Sequence, residues 1–153
     1  MTRLTDEDFL QVIRTTPLVS IDLLLHCGGD VLLGKRSNEP ARGFWFVPGG
    51  RILKGERLAM AFGRLCEDEL GLGLDFSHAR LHGVYEHFYE TNNFGEEGLT
   101  THYVVLAYVL TLEEKPDIRA DSQHRELAWF ARDKVGRIAH VHPYTQAYFM
   151  HAS

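Results

Sequence analysis

Glu69 is the residue whose type and position first point to chemistry. It follows an apolar stripe with the helical i, i+3, i+4, i+7 spacing, formed by Leu58, Ala61, Phe62, Leu65 and Cys66. Because Glu69 comes four residues after Leu65, it continues the side of the helix that should pack on a sheet. A carboxylate on that side must be paired, protonated or bound to a cation. Periodicity leaves a second interpretation open, in which Glu69 simply ends the helix and reaches solvent or Arg64.

Four other side chains have types and positions that suit a binding site. Arg36 ends an apolar run and Arg51 follows two glycines, and a guanidinium binds phosphate through paired hydrogen bonds. Either residue would otherwise be an ordinary surface arginine. Asp22 interrupts the apolar run Ile-Asp-Leu-Leu-Leu and therefore needs a partner or a ligand. Tyr103, in another apolar run, is either a core aromatic with a satisfied hydroxyl or a substrate contact.

The composition is that of one folded domain. The chain has 153 residues, of which 44% are hydrophobic and 24% are charged, and both fractions are ordinary for a globular protein. A chain of this length buries enough apolar surface to form a core without metal or disulfide support. We therefore expect a single domain over residues 1–153.

Charge and cysteine content narrow the function classes. The net charge of −5 argues against a nucleic-acid-binding protein, which would carry a basic surplus. No apolar run approaches the length of about 18 residues that a membrane span needs, and the N-terminus lacks the apolar segment of a signal peptide. The isolated Cys27 and Cys66 fit a reducing compartment. We expect a cytoplasmic protein that binds neither nucleic acid nor membrane.

Helical and strand patterns alternate along the chain. Thr5 and Asp8 form a helix-capping pattern before Phe9, which predicts an N-terminal helix. A central helix is predicted over 57–70, ended by Gly71, and a C-terminal helix over 143–151. Loops are predicted at 48–50 and around Asn92. Strands are predicted over 18–25, 31–35, 81–89, 101–112 and 127–130. This order predicts the α/β (or α+β) class with a mixed sheet.

One motif and several further segments resemble a known family. The pattern Gly50-x5-Glu56-x7-Arg64-x4-Glu69-x-Gly71 resembles the signature of the Nudix superfamily, a loop–helix–loop that holds a divalent metal ion against a diphosphate. Segments across nearly the whole chain resemble one Nudix family, the GDP-mannose mannosyl hydrolases. They are residues 14–20, 32–36, 43–51, 64–65, 87–89, 101–105 and 123–124. The resemblance implies an α/β/α sandwich around a mixed sheet, and a homodimer.

The resemblance also implies a reaction. Members of this family hydrolyse GDP-mannose or GDP-glucose at the C1–O bond of the sugar and release GDP and the free sugar with inversion. Breaking that bond leaves negative charge on the diphosphate, which Mg2+ (or Mn2+) would offset. The implied metal ligands are the Gly49 carbonyl, Glu69 and Gln123. His124, in a polar loop beside Gln123, is the implied general base that takes the proton of the attacking water, whereas His87 is expected to be a half-buried strand residue.

The remaining site residues follow from the same resemblance. Arg36 and Arg51 would clamp the diphosphate as catalytic groups, with Tyr103 close by and Asp22 facing the substrate. Phe9 either stacks on the guanine or packs within its own helix. The implied contacts of the nucleotide in the N-terminal segment are Arg3, Leu4 and Phe9.

Leu65 marks a departure from the Nudix pattern, which has glutamate at that position. Its loss argues against a diphosphatase that attacks phosphorus, although Asp68 beside Glu69 keeps that alternative open. The other alternative is a Nudix module that binds a nucleotide sugar without turnover. We expect Arg64 to orient Glu69 or Asp68 as a supporting partner of the metal site.

Overall fold

The computed structural model describes residues 3–118 and 126–150. Within these residues, seven strands form one mixed sheet, in which β1 and β6 are parallel and the other pairs are antiparallel. The strands are β1 (Leu18–Cys27), β2 (Asp30–Lys35), β3 (Trp45–Phe46), β4 (Gly49–Arg51), β5 (Arg80–Tyr89), β6 (Thr101–Leu112) and β7 (Leu127–Ala131). The helices are α1 (Asp6–Thr15), α2 (Leu58–Leu70), α3 (Arg132–Val135) and α4 (Pro143–Ala147), with a 3-10 turn at Phe76–His78.

The sheet opens between β1 and β2. These strands pair only next to their turn, at His26 and Cys27 of β1. Farther from the turn, β1 pairs with β4 through Ser20, Ile21 and Asp22, while β2 pairs with β7 and β3. The central strand therefore diverges from its neighbour at the end of the sheet where Asp22 lies.

The sequence prediction of a loop over 48–50 was wrong in part, because Gly49–Arg51 forms strand β4. Glycine permits this strand to approach β1 closely. A Cβ atom at Gly49 would collide with the carbonyl oxygen of Ile21. Such a contact is far inside van der Waals distance, so a residue with a side chain would push β4 away from β1.

Helices cover both faces of the sheet, and each face has its own core. Helix α2 buries Ala61, Phe62, Leu65 and Cys66 against one face, as the apolar stripe predicts. Gly71 ends α2 in the left-handed conformation at φ 68°, which glycine adopts without strain. The other face packs on α3 and on the segment that contains α4, through Val135, Val141 and Tyr148.

The terminal helices agree with the predictions at their N-terminal ends. Thr5 caps α1 by accepting a hydrogen bond from the Asp8 N–H at 3.2 Å. Helix α4 begins at Pro143 but ends at Ala147, because the following bonds tighten to i→i−3, with the N–H of Tyr148 donating to the Thr145 carbonyl at 3.1 Å. The predicted end at His151 lies outside the described residues. No described helix has the length and apolarity needed to cross a membrane.

Candidate active site

Two depressions flank β4, and both are lined by Gly50 and Arg51. The first, here called the sheet pocket, has a volume of about 650 Å³ including the part open to solvent. Its lining includes Ser20, Asp22, Arg36, Phe46, Gly49, His87, Tyr89 and Tyr103. The second, here called the α2 cleft, has a volume of about 500 Å³ on the same measure. Its lining includes Arg3, Leu53, Arg64, Leu65, Asp68 and Glu69.

The sheet pocket collects residues from separate strands through strand alternation. Ser20 and Asp22 are two apart on β1 and therefore point to one side of the sheet. His87 of β5 pairs directly with Tyr103 of β6, which places both on that side. Five residues predicted from the sequence are brought together here, namely Asp22, Arg36, Gly49, Arg51 and Tyr103.

Asp22 is held by a partner that the sequence analysis did not identify. The Tyr148 hydroxyl donates a hydrogen bond to Asp22 Oδ2 at 2.5 Å. Burial raises the pKa of Asp22 to about 7, against the opposing effects of the Tyr148 hydrogen bond and the Arg36 charge. Asp22 therefore changes its protonation state near neutral pH, where an ordinary aspartate is fully ionised.

Arg36 is oriented by a backbone acceptor. Its Nε–H donates to the Pro40 carbonyl oxygen at 2.7 Å, and the guanidinium carbon lies 5.9 Å from the centre of the Phe46 ring. These contacts fix the plane of a half-buried guanidinium at the pocket wall. A fixed guanidinium binds an anion with less loss of side-chain entropy than a free one.

An ion pair between Glu56 and Arg64 supports the α2 cleft. Arg64 donates to both carboxylate oxygens of Glu56, at 2.8 and 2.9 Å, and also to the Arg51 carbonyl oxygen at 3.0 Å. The Glu56 side chain is fully buried. The hydrogen bonds from Arg64 lower the pKa of Glu56, and the same pairing raises the pKa of Arg64. Arg64 also lies 3.5 Å from Asp68, as expected, but its principal partner is Glu56, to which the sequence analysis gave no role.

The N-terminal segment lies over the arginine shared by the two depressions. The Arg51 guanidinium lies 4.5 Å from the centre of the Phe9 ring, which also contacts Phe94 edge to face at 5.8 Å. Phe9 therefore packs within the fold and covers Arg51 at the same time. Arg3 lies 3.5 Å from Asp68 at the mouth of the α2 cleft, and Leu4 beside it is exposed.

The donor atoms of this region suit a hard divalent cation. Glu69 is half-buried in the last turn of α2 and lines the α2 cleft. Gly49, on the neighbouring β4, also offers an oxygen through its backbone carbonyl, but it lines the sheet pocket rather than the α2 cleft. Within residues 3–118 and 126–150, no group of three His, Cys, Asp or Glu side chains could hold a metal ion. Gln123 and His124, the other predicted ligand and the predicted base, lie outside the described residues.

Leu65 occupies the position where the Nudix signature has glutamate. It is 4% exposed and belongs to the core beneath the sheet. A Cβ atom at Gly50 would lie 2.6 Å from Leu65 Cδ2, so the leucine side chain packs directly on the β4 backbone. The floor of the α2 cleft is therefore apolar at this point.

Several pocket residues were missed by sequence reasoning. His87, expected to be half-buried, is only 5% exposed and stacks on Tyr144 at a centroid distance of 4.2 Å. Burial lowers the pKa of His87 to about 4, and the His142 charge adds to the effect, so His87 is neutral at pH 7. The alternation of Tyr85, His87 and Tyr89 along β5 indicated that these three side chains share one face of the sheet. It did not indicate whether that face is covered by other elements. Phe46 and Tyr148 carried no comparable signal.

Comparisons with known proteins identify relatives of this chain. The model of the Nudix domain matches residues 16–151. The low-salt glycan biosynthesis protein Agl8 of Haloferax volcanii is 40% identical over 148 residues, which cover 96% of this chain and 89% of that protein. The chain belongs to the Nudix family, whose hydrolases generally use divalent metal ions such as Mg2+.

Solved structures show the same fold. The MutT Nudix hydrolase of Burkholderia pseudomallei superposes with a TM-score of 0.69 at 27% identity, covering 88% of this chain and 96% of that one. The Nudix domain of Shewanella oneidensis NrtR, solved in complex with ADP ribose, superposes with a TM-score of 0.64 at 18% identity over 95% of each chain. The predicted Nudix-like sandwich of helices around a mixed sheet is confirmed.

Proposed function

We propose that this protein hydrolyses GDP-mannose, and GDP-glucose as a second substrate, to GDP and the free sugar. The observation that carries the proposal is the pairing of two unlike depressions at β4. The sheet pocket combines Arg36 and Arg51 with Asp22 and Tyr103, groups that suit a phosphate and a sugar hydroxyl. The α2 cleft has Leu65 where attack at phosphorus would use a carboxylate. The relationship to a protein named for glycan biosynthesis supports a nucleotide-sugar substrate.

The proposed step is attack of water on C1 of the sugar. The water oxygen forms a bond to C1 as the bond from C1 to the β-phosphate oxygen breaks, and GDP leaves with the bonding electrons. His124 takes the proton of the water, and attack from the side opposite GDP inverts C1. Arg36 and Arg51 stabilise the charge that grows on the leaving diphosphate, with Tyr103 beside them. Because Arg36 directly follows β2 and Arg51 ends β4, the diphosphate would be held from two sides.

The proposed reaction uses a divalent metal ion that would be held by oxygen atoms of the protein. Glu69, the Gly49 carbonyl and Gln123 would hold Mg2+ or Mn2+, which supplies positive charge against the diphosphate. Arg64 would support the site by donating directly to the Arg51 carbonyl oxygen and by pairing with Glu56 and Asp68. Arg3, Leu4 and Phe9 would contact the nucleotide beside the metal.

We also propose that the protein works as a cytoplasmic homodimer. On the α2 side of the sheet, the edge strand β5 exposes Val84 (59%) and Phe88 (57%), and Val19 of β1 is 44% exposed on the same side. Large apolar side chains that remain exposed on one sheet face suit contact with a second copy. Light scattering on the purified chain would test this, and a monomeric mass at micromolar concentration would contradict it.

Product analysis in labelled water tests the reaction itself. The protein is incubated with GDP-α-mannose and Mg2+ in 18O-water, and the products are identified by mass spectrometry and NMR. We expect GDP without label and β-mannose with one labelled oxygen. GMP with mannose 1-phosphate, or label in a phosphate, would assign attack at phosphorus instead. Binding of GDP-mannose without products would identify a non-catalytic module.

A further inference from the structure

The two oxygens of Asp22 face different groups. Oδ2 accepts the hydrogen bond from the Tyr148 hydroxyl. Oδ1 lies on the side of Gly49, because a Cβ atom built on Gly49 would be 2.8 Å from it. Gly49 lines the sheet pocket, so the oxygen that Tyr148 does not hold is the one directed toward the pocket wall.

Tyr148 is itself held firmly. It is 4% exposed, and its ring meets the Tyr85 ring edge to face at a centroid distance of 4.7 Å. Burial and the neighbouring Asp22 raise the pKa of its phenol, so the hydroxyl keeps its proton and remains a donor. On the β5 side, His87 Nε2 lies 3.5 Å from the same hydroxyl.

The segment that carries Tyr148 is anchored to the edge of the sheet. Tyr144, one turn earlier, receives a hydrogen bond from the Phe88 N–H at 3.0 Å and donates one to the Phe88 carbonyl oxygen at 2.9 Å. Its ring also stacks on His87. The position of the Tyr148 hydroxyl is therefore fixed by contacts with β5 that do not involve Asp22.

We propose that Tyr148 is a positioning residue for the reaction. By holding Oδ2, it keeps the Asp22 carboxylate in one rotamer, with Oδ1 beside Gly49 at the wall of the sheet pocket, where it would bind a hydroxyl of the sugar. Without the phenol, the carboxylate would rotate and its pocket-facing oxygen would no longer be aligned, an effect that grows in a transition state requiring exact sugar placement. This inference rests on the proposed function, because the sugar is the group that Asp22 would bind.

Kinetics of the full-length protein test it. Tyr148→Phe removes the donor and keeps the ring. We expect kcat/KM for GDP-mannose to fall about 10- to 100-fold, the loss typical of a hydrogen bond to a charged group. The Kd for GDP, which lacks the sugar, should be unchanged. Tyr85→Phe is the matched control, because it removes a hydroxyl from the ring packed against Tyr148 but leaves the Tyr148–Asp22 hydrogen bond in place, so it should retain turnover.

A double-mutant cycle separates positioning from general support of the fold. In an Asp22→Asn background, adding Tyr148→Phe should cost less than about 2-fold further, because the group it positions is already lost. An unchanged kcat/KM in Tyr148→Phe, equal losses in both backgrounds, or weakened GDP binding would overturn the inference. If the wild-type protein releases no GDP and sugar, the proposed function has failed and the inference falls with it. An active wild type that tolerates Tyr148→Phe would refute the inference alone.

Discussion

The α2 cleft and the sheet pocket share Gly50 and Arg51 but are assembled in different ways. The α2 cleft is built largely from residues close together in sequence, with Leu53, Arg64, Leu65, Asp68 and Glu69 between the end of β4 and the end of α2. The sheet pocket takes Asp22, Arg36, His87 and Tyr103 from distant parts of the chain. A local site depends on one helix and its caps, whereas a dispersed site depends on strand register and on the cover above the sheet.

The two regions also differ in electrostatic character. The α2 cleft is an array of charges that are paired with one another, as in Glu56 with Arg64 and Arg3 with Asp68. The sheet pocket is an aromatic and half-buried environment, in which desolvation moves the pKa of Asp22 upward and that of His87 downward. The first suits a cation, and the second, which contains Arg36 and Arg51, suits a phosphate together with a sugar hydroxyl.

The largest expected effect comes from breaking the α2 cleft at Glu69. Glu69→Gln keeps the shape of the side chain but removes the anionic metal ligand, so we expect GDP-mannose turnover to fall about a thousandfold, since charge stabilisation by a metal ion is worth several kcal/mol. Calorimetric titration should show much weaker Mg2+ binding. Glu67→Gln, on the exposed side of the same helix, is the control. Unaltered Mg2+ affinity would make Glu69 a structural end-of-helix residue.

The next largest effect is expected from breaking the ion pair between Glu56 and Arg64, which supports the same cleft. Glu56→Gln leaves Arg64 without its buried partner, and we expect the free energy of unfolding to fall by about 3 kcal/mol, as is typical when one member of a buried pair is removed. Urea denaturation at pH 7 measures this. Glu90→Gln, at an exposed position after β5, should change stability by less than about 0.5 kcal/mol. A loss of activity without a loss of stability would contradict the supporting role.

A smaller effect tests burial in the sheet pocket. Burial lowers the pKa of His87 to about 4 in the folded state, from the 6.5 of an unperturbed histidine. Between these two pH values the unfolded state binds more protons than the folded state, so stability falls as pH is lowered. We expect unfolding at pH 5 to require about 2 kcal/mol less than at pH 7 on account of this residue. His87→Gln should reduce the pH dependence of the urea midpoint, whereas His140→Gln, on an exposed loop, should not. Equal pH dependence in both variants would contradict the burial of His87.

The smallest effect tests the residue that covers Arg51. Phe9→Leu keeps apolar bulk but removes the aromatic face next to the guanidinium. A cation–π contact at a partly exposed site is worth about 0.5–1 kcal/mol, so the Kd for GDP should rise about 2- to 5-fold while kcat stays within 2-fold. Fluorescence titration with GDP measures the affinity. A large fall in kcat would show that Phe9 has a direct catalytic role.

Much of the fold followed from local patterns. The Thr5 cap, the stripe of α2 and Gly71 at its end were predictable because capping, helical period and left-handed glycine are properties of a few neighbouring residues. Strand β4 was not predictable, because two glycines next to a proline look like a loop until β1 lies beside them.

For the site, the sequence by itself determined the chemical types that are present. It identified Glu69 on the buried side of a helix, Arg36 and Arg51 after apolar or glycine-rich segments, and Asp22 within an apolar run. A charged residue within an apolar run can be recognised from the sequence alone. Its burial is costly without a partner or a ligand, whichever residue that partner turns out to be.

The contact partners of these side chains were determined only by the tertiary structure. Tyr148 meets Asp22 across 126 positions of sequence, and His87 enters the same group only because β5 pairs with β6 in one register. Glu56, rather than Glu69 or Asp68, became the main partner of Arg64 because the turn after β4 brings its carboxylate beneath the helix. Sequence spacing limits which side chains share a face of a helix or strand, but contacts between elements depend on packing, and packing is a property of the folded chain as a whole.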